Sequence, residues 1–206
     1  MACVVRLVLA SASPRRRELI AHLGLPFEVA VSGVDETVQA GEPPEALARR
    51  LAEAKATEVA ATHPKAVVLA ADTIVVLDGA VLNKPVDADD ARSMLASLRD
   101  REHVVITALA IAKDGEVRVE APSSRVTMRP YRETEVETWI ASGGPFDKAG
   151  AYAVQDPAFA PVARIDRCYC NVMGLPLWTT LRMLRKAGIE AQDADMPDRC
   201  LACPLQ

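Results

Sequence analysis

The chain begins with an uninterrupted run of aliphatic residues at positions 4–10, which predicts a buried β-strand. Ser13 then fits the N-cap of a helix, Pro14 its first residue, and Gly24 the position just after its end. The opening of the chain therefore predicts a strand, a short loop and a helix. This order is typical of proteins that cover a sheet with helices.

The remaining predicted elements do not alternate strictly between strand and helix. We predict further strands at residues 66–77, 103–112, 116–121, 123–128 and 162–166, and helices at 44–61, 88–98, 134–142 and 177–187. Asp78-Gly79 and Asp114-Gly115 predict hairpin turns, and Asp72 with Thr73 interrupts the apolar strand 66–77. We therefore expect an α/β fold of the mixed type, in which helices flank a mixed sheet.

Composition excludes two classes of protein. The chain has 206 residues, of which 50% are hydrophobic, so it can form one domain with a substantial core. A net charge of -4 argues against a broad face that binds nucleic acid. No apolar run reaches the roughly 18 residues of a membrane span, and the N-terminus lacks the pattern of a signal peptide. We therefore expect a cytoplasmic protein without nucleic-acid or membrane partners.

The 5 cysteines have no framework spacing, which suits a reducing compartment. Cys200 and Cys203 form a C-x-x-C pair that could in principle bind zinc with Cys168 and Cys170. The single-residue spacing of Cys168 and Cys170 favours incidental thiols instead. Residues 190–206 are polar with two prolines, and we expect a poorly ordered tail there.

Three consecutive arginines, Arg15, Arg16 and Arg17, fall in the first turns of the opening helix. Cations at a helix N-terminus are unfavourable by about 0.3–1 kcal/mol each, because that end carries a partial positive charge. The same end binds phosphate through its free N–H groups, and Ser11 and Ser13 add hydroxyl donors. We therefore predict a phosphate site, with Arg17 as the arginine best suited to a solvated position.

A carboxylate within an apolar strand is costly unless it is paired or bound to a metal, and Asp72 is such a group. At the end of a strand it could hold Mg²⁺ and orient water, the alternative being an aspartate that caps a turn. Asp35 and Glu36 offer further carboxylates for a cation. The lysines that can add positive charge are Lys55, Lys84 and Lys148.

The sequence has no P-loop, dinucleotide fingerprint, nucleophile elbow or H-E-x-x-H pair, and His103 is interpreted as structural.

Eight short segments, taken in order, resemble the Maf family of nucleotide pyrophosphatases. They are L-A-S-A-S-P-R-R at 9–16, V-D-E at 34–36, L-A and K-A within 51–56, A-D-T-I-V at 71–75, K-P at 84–85, H-V and Thr107 within 103–107, D-K-A-G-A-Y and Gln155 within 147–155, and N-V-M-G-L-P-L at 171–177. Each segment alone is a weak signal. Their shared order over about residues 7–188 makes the resemblance specific.

The resemblance implies a two-lobed catalytic domain over residues 1–189, similar to inosine triphosphatases, with the active site in a cleft between the lobes. It implies hydrolysis of a nucleoside triphosphate to the monophosphate and pyrophosphate, with Mg²⁺ or Mn²⁺ as the cofactor. Asp72 is the implied proton acceptor and, together with Glu36, a metal ligand. The implied substrate-binding residues are Ser11, Arg15, Arg16, Lys55, Thr73, Lys84 and Gln155, among which Arg15, Thr73 and Gln155 match positions linked to substrate choice.

Several alternatives stay open within this resemblance. Its A-D-T, D-K-A-G-A-Y and Gln155 positions are similar to the branch that acts on dTTP and UTP in nucleotide-pool housecleaning, and the sister branch acts on 7-methyl-GTP. A regulatory protein that inhibits septum formation is an alternative of another class. The oligomeric state is open, a homodimer being one option. The chain departs from the family pattern at Gly144, Asp156 and Arg167, where the family often has Glu, Gly and Gly, all in loops near the expected base pocket.

Overall fold

Eight strands form one mixed sheet in the part of the chain that this computed structural model describes, which is residues 5–191, 196–201 and 203–205. The strands are β1 (Arg6–Ala10), β2 (Phe27–Val29), β3 (Ala66–Leu77), β4 (Ala80–Leu82), β5 (Glu102–Lys113), β6 (Glu116–Glu120), β7 (Ser123–Met128) and β8 (Val162–Asp166). Their main order is β2-β1-β3-β5-β7-β8, with β4 paired to β3 and β6 paired to β5. β1 is parallel to β2 and β3, and the remaining pairings of the described strands are antiparallel.

Helices flank this sheet, which confirms the mixed α/β fold predicted from the sequence. They are α1 (Pro14–Ala21), α2 (Pro44–Thr62), α3 (Ala88–Leu98), α4 (Glu133–Ala141), α5 (Tyr169–Met173), α6 (Leu177–Lys186) and α7 (Asp198–Leu201), with a 3-10 turn at Ala149–Ala151. Ser13 caps α1 as predicted, because its side chain accepts a hydrogen bond from the backbone N–H of Arg16. None of the helices in the described residues is both long enough and apolar enough to cross a membrane.

The two faces of the sheet bury different helices, because successive residues of a strand point to opposite faces. On the first face, Leu9 and Leu69 pack in one cluster with residues of α1 and α6. On the second face, Val8 and Val68 pack with residues of α2. Both hairpin turns form as predicted, and Asp78-Gly79 joins β3 to β4 with positive φ at both residues.

A polar pair divides the first face into two apolar clusters. Leu69 and Ala71 of β3 belong to the cluster of α1 and α6, whereas Val75 belongs to a cluster that contains residues of α3 and α4. Thr73 lies between them in sequence and is paired with Thr107 of β5. The hydroxyl groups of these two threonines lie 3.0 Å apart. The row of apolar side chains is thus interrupted where the two groups of helices separate.

Strand β3 lacks a neighbour along one edge at the same place. Its pairing with β1 ends where Ala10 meets Ala70, and its pairing with β4 begins where Leu82 meets Val75. Residues 71–74 therefore have no strand partner on this edge within the described chain, although β5 stays paired with them on the other edge. Side chains from both faces of the sheet can reach the space beyond the end of β1. Ligands of α/β proteins typically bind beyond such strand ends.

Strand β3 is continuous from Ala66 to Leu77, so the predicted interruption at Asp72 and Thr73 is wrong. Asp72 is paired with Ala108 in the middle of the strand, and is therefore neither at a strand end nor in a turn. The side chain is 7% exposed, so its charge needs a partner inside the protein.

The described residues after α6 lie against the core. Ile189, Met196, Cys200 and Cys203 belong to the apolar cluster that includes residues of α1 and α6. The indole N–H of Trp178 donates a hydrogen bond to the carbonyl oxygen of Cys200 at 2.7 Å. Poor order of residues 190–206 stays a prediction, since 192–195, 202 and 206 lie outside the described residues.

Gly144 lies directly against the ring of Trp139. A Cβ atom at position 144 would lie 2.2 Å from a ring carbon of Trp139, which is far inside van der Waals contact. The ring is held in place because its N–H donates to the carbonyl oxygen of Ala151 at 2.8 Å and because it stacks on Phe159. This tryptophan therefore accounts for the glycine at a position where the family often has glutamate.

We expect Gly144→Ala to destabilise the protein by about 1–3 kcal/mol, because the fixed indole cannot move away from the added methyl group. Urea unfolding of the purified variant measures this loss. Gly33→Ala is the matched control, since its Cβ would meet nothing closer than 3.5 Å and its φ is not in the left-handed region. Equal stability of the Gly144→Ala variant and the wild type would contradict the packing described here.

Candidate active site

A cavity of about 630 Å³ opens at the unpaired edge of β3. This volume is within the range of small-molecule sites in proteins. The site residues predicted from the sequence all line it: Ser11, Arg15, Arg16, Glu36, Lys55, Asp72, Thr73, Lys84 and Gln155. Arg17, predicted to be solvated, is not among its lining residues. The placement of these side chains follows from the fold, whereas their roles stay predictions.

The guanidinium group of Arg16 joins three separate segments at the wall of the cavity. Its Nε donates to the carbonyl oxygen of Gly174 at 2.9 Å, and its terminal nitrogens donate to Ser11 at 3.2 Å and to Thr73 at 3.0 Å. All three acceptors are neutral, and no described carboxylate lies within salt-bridge distance of Arg16. Burial lowers the pKa of Arg16 while the charge of Asp72 acts against that shift, and the arginine stays protonated. A partly buried cation with neutral partners favours an anionic ligand.

Arg15 reaches across the cavity to the loop before the 3-10 turn. It donates to Asp147 at 3.0 Å, and Lys148 contacts the same carboxylate. Burial raises the pKa of Asp147, but the hydrogen bonds and charges of Lys148 and Arg15 outweigh it and hold the pKa below its usual value. Asp147 was not predicted as a site residue. Its contact with Arg15 spans 132 positions of sequence, a separation over which the sequence pattern gives no signal.

Lys55 holds the two carboxylates that the sequence analysis assigned to a metal. Its ammonium nitrogen lies 2.5 Å from Glu36 Oε1 and 2.7 Å from Asp72 Oδ1. Lys55 and Asp72 are both nearly buried, so solvent screens the attraction between their charges only weakly. Removing either side chain would leave the charge of the other without a partner. Partial burial of Glu36 acts to raise its pKa, but Lys55, followed by Lys84 and Arg16, lowers it overall. Helix α2 thus supplies the counter-charge that the aspartate in β3 requires.

The threonine pair of β3 and β5 continues the polar network beneath the cavity. Thr107 donates to the carbonyl oxygen of Asn171 at 2.8 Å, and Thr73 contacts both Thr107 and Arg16. Gly174 has a φ of +110°, and a Cβ atom there would lie 3.2 Å from the Thr73 hydroxyl. Glycine is therefore suited to this position by its backbone and by the close approach of Thr73. Neither Asn171 nor Gly174 was predicted as a site residue, although both stand in the N-V-M-G-L-P-L segment.

Lys84 and Gln155 occupy the exposed rim of the cavity, in contrast to the buried groups at its base. Lys84 follows β4 and is close enough to Glu36 to lower its pKa. Gln155 lies in the loop after the 3-10 turn. Both are placed where the exposed part of a ligand would lie.

The charge of the cavity is opposite in sign to that of the whole chain. Its lining includes five cationic side chains, Arg15, Arg16, Lys55, Lys84 and Lys148, and three carboxylates, Glu36, Asp72 and Asp147. The full sequence carries a net charge of -4. A positive excess in a cleft of an acidic protein favours an anionic ligand and attracts it from solution.

Comparison with known proteins identifies the family. The family model described as Maf-like protein matches residues 6–187 of this sequence. The chain belongs to the Maf family. The Maf match covers β1 to α6 and ends just before the C-terminal segment that contains α7.

Curated relatives match almost the whole chain. A protein of Thermomicrobium roseum named dTTP/UTP pyrophosphatase is 49% identical over 97% of this chain and 93% of its own length. A protein of the same name from Myxococcus xanthus is 48% identical over 89% of this chain and 93% of its own length. Among solved structures, a nucleoside-triphosphatase (dITP/XTP pyrophosphatase) from Mycobacterium abscessus aligns with a TM-score of 0.40 at 20% identity, over 62% of this chain and 76% of that one.

Two further departures from the Maf pattern have visible structural consequences. Arg167 has a φ of +83°, in the left-handed region that suits the glycine common in the family. Asp156 accepts hydrogen bonds from the backbone N–H groups of Ala158 and Phe159 at 3.0 and 2.7 Å, and so orders the turn that follows Gln155. The first departure strains the backbone, whereas the second adds bonds that a glycine cannot make.

We expect inorganic tripolyphosphate to raise the melting temperature of the wild type and to have little effect on Arg16→Gln. A ligand at about 100 times its dissociation constant stabilises a protein by about 2.7 kcal/mol, and Arg16 has no carboxylate partner to give up when the anion binds. Differential scanning fluorimetry with and without the anion measures the shift relative to each variant alone. Arg17→Gln is the matched control and should keep the full shift. Equal shifts in both variants would exclude Arg16 from anion binding.

His103 provides a pH dependence of stability next to the cavity. Its Nε2 lies 2.7 Å from the hydroxyl of Tyr152, a cavity-lining residue, and its buried Nδ1 has no hydrogen-bond partner among the described residues. Burial lowers the pKa of His103 from 6.5 to about 4. The ring is therefore neutral in the folded protein at pH 7.

Because the unfolded chain takes up the proton near pH 6.5 and the folded chain does not, we expect His103 to cost stability as the pH falls from 6.5 towards 4. The free energy of unfolding should fall by about 3 kcal/mol near pH 4, relative to its value above pH 6.5, where His103 is neutral in both states. Urea unfolding of the wild type and His103→Gln at several pH values measures the difference between their curves. Parallel curves across this window would contradict the burial-induced shift.

Proposed function

We propose that this chain hydrolyses dTTP and UTP to the corresponding monophosphate and pyrophosphate. The observation that carries the proposal is the partly buried Arg16, whose partners are neutral and which faces the same cavity as the Asp72–Lys55–Glu36 group. The first feature suits a phosphate and the second suits activation of water. The names of the Thermomicrobium roseum and Myxococcus xanthus relatives support dTTP and UTP as the substrates.

The phosphate chain binds at the N-terminus of α1 in this proposal. The backbone N–H groups of that end favour an anion, and the side chains of Arg15, Arg16 and Ser11 add donors around it. Arg15 then exchanges its contact with Asp147 for one with phosphate. Lys55 and Lys84 stabilise the negative charge that develops on the leaving pyrophosphate.

Asp72 accepts the proton of the attacking water. Lys55 fixes the orientation of its carboxylate through Oδ1 at 2.7 Å, and the paired strand β3 fixes its backbone. The water oxygen forms a bond to the α-phosphorus as the bond between this phosphorus and the bridging oxygen breaks, and pyrophosphate leaves with that oxygen. Thr73 and Gln155, with Arg15, contribute to the choice of substrate.

Glu36 and Asp72 fit a divalent cation such as Mg²⁺ or Mn²⁺. Their carboxylate oxygens converge on one nitrogen of Lys55, and oxygen donors are the ligands these ions prefer. The described residues include no group of three or more His, Cys, Asp or Glu side chains that could hold an ion by themselves. Mg²⁺ is usually bound by one or two carboxylates together with substrate phosphates. When bound, such an ion neutralises phosphate charge and polarises the reacting group.

A nucleotide panel tests the proposal. The purified full chain with Mg²⁺ is incubated with dTTP, UTP, GTP and 7-methyl-GTP, and pyrophosphate and orthophosphate are measured separately. We expect pyrophosphate from dTTP and UTP, and ¹⁸O from labelled water in the monophosphate because attack is at the α-phosphorus. Preference for 7-methyl-GTP would assign the sister branch instead. Absence of turnover of any nucleotide would favour a regulatory binding protein.

Asp72→Asn should lower kcat by about 10²–10⁴-fold while the variant still folds, because the amide keeps the shape of the carboxylate but accepts no proton. Its melting temperature should also fall, because Lys55 loses a buried counter-charge. Asp166→Asn, at an exposed position outside the cavity, is the matched control and should retain full activity. Turnover of the Asp72→Asn variant near that of the control would remove Asp72 from this role.

We also propose the cytoplasm as the location, where nucleoside triphosphates are present.

A further inference from the structure

Four cysteines form a buried cluster outside the proposed active site. Cys168 caps the N-terminus of α5, Cys170 lies within it, Cys200 lies in α7, and Cys203 follows that helix. All four are free thiols, and each is 4% exposed or less. We call these four residues the thiol cluster. None of them lines the cavity described above.

The four side chains interact across the two segments that carry them. All four belong to one buried apolar cluster, in which the side chain of Cys170 interacts with that of Cys200 and the side chain of Cys168 with that of Cys203. Electrostatic interactions also link the two pairs, because Cys168 interacts with Cys200, and Cys170 with Cys168 and Cys203. The thiol cluster is therefore one group of four sulfurs and not two unrelated pairs.

The short segment that supplies two of these cysteines has little other means of attachment. Helix α7 has 4 residues, too few to be stable by itself. The further described contacts of residues 196–205 with the core include the bond from Trp178 to the Cys200 carbonyl, the burial of Met196, the packing of Leu205, and the guanidinium of Arg199 over the ring of Tyr169. A disulfide or a structural metal can fasten such a segment, as it commonly does in small domains with a limited core.

Sulfur ligands in a C-x-C and a C-x-x-C pair, gathered from two segments, suit a tetrahedral thiophilic ion. We propose that the thiol cluster is a structural zinc site in which Cys168, Cys170, Cys200 and Cys203 bind one Zn²⁺ and fasten the C-terminal segment to α5. The spacing alone favoured incidental thiols, and it is the burial of all four side chains together that changes this interpretation. The site is independent of the proposed hydrolysis.

Zinc binding must displace the protons of the four thiols. The described side chains do not yet form a group of three or more in the geometry of a metal site, so the sulfurs must move together when the ion enters. Burial raises the pKa of Cys168 to about 12 although the backbone N–H of Asn171 donates to its sulfur, and a hydrogen bond with Cys200 and burial raise that of Cys170. Binding forms four Zn–S bonds and releases the thiol protons to water.

Metal analysis of the reduced full chain tests the site. We expect about one Zn²⁺ per chain after incubation with zinc sulfate and removal of excess ion, and the absorption of tetrahedral thiolate-bound Co²⁺ when cobalt replaces zinc. The Cys200→Ser/Cys203→Ser double variant should lose the zinc and the cobalt spectrum. Cys3→Ser is the matched control, since it removes the fifth cysteine, and should keep both.

Two measurements separate the outcomes. A chelator should lower the melting temperature of the zinc-loaded wild type and leave that of the double variant unchanged. Adding zinc back should restore the melting temperature of the wild type. Thiol titration of the unfolded, chelated wild type should find all five cysteines reduced. Zinc content equal in the wild type and the double variant, or a wild type that takes up no zinc while its thiols are free, would overturn the proposal. Paired disulfides in the purified protein, resistant to metal uptake after reduction, would assign the thiol cluster to redox chemistry instead.

Discussion

A buried carboxylate in the middle of an apolar strand determines how several other elements of this structure pack. Asp72 is surrounded in β3 by alanine, valine and isoleucine, and a charge in that position is tolerated only with a counter-charge. Lys55 supplies it from α2, and this requirement fixes how the long helix lies on the second face of the sheet. Glu36 is drawn to the same lysine from the preceding loop. One buried charge thus links a strand, a helix and a loop, and places them all at the edge where β1 ends.

The first face of the sheet meets the same edge through a different interaction. Arg16 connects the loop after β1, the threonine of β3 and the residue after α5 by hydrogen bonds to neutral acceptors. The two faces of the sheet therefore present groups of different charge to the cavity. One face presents a cation without a carboxylate partner, and the other presents paired carboxylates. Both faces reach one cavity along residues 72–75 of β3, and three of these four residues lie in the stretch that has no strand partner on one edge.

Local patterns predicted the fold better than they predicted contacts between distant segments. The apolar runs gave β1, β3 and β5, and Ser13 and Asp87 marked the starts of α1 and α3, because these signals depend on neighbouring residues. Strands β2 and β4 and helices α5 and α7 were not predicted, since a strand of three residues or a helix of four or five residues is too short to show a period. The interruption expected at Asp72 was wrong because pairing with β5 and the charge of Lys55 override the local preference. For the site, the arginine cluster and the aspartate were found from the residues, but Asp147, Asn171 and Gly174 depend on contacts that only the folded chain creates.

The division of the cavity into a buried base and an exposed rim has a consequence for how such a protein can diversify. Asp72, Lys55 and Arg16 each contact more than one element, so a change in any of them disturbs the architecture as well as the proposed reaction. Lys84 and Gln155 are exposed and lie on connecting segments, where a replacement alters what the ligand meets at little cost to folding. New substrate preferences can therefore arise at the mouth of the cavity while the hydrolytic apparatus beneath is inherited intact.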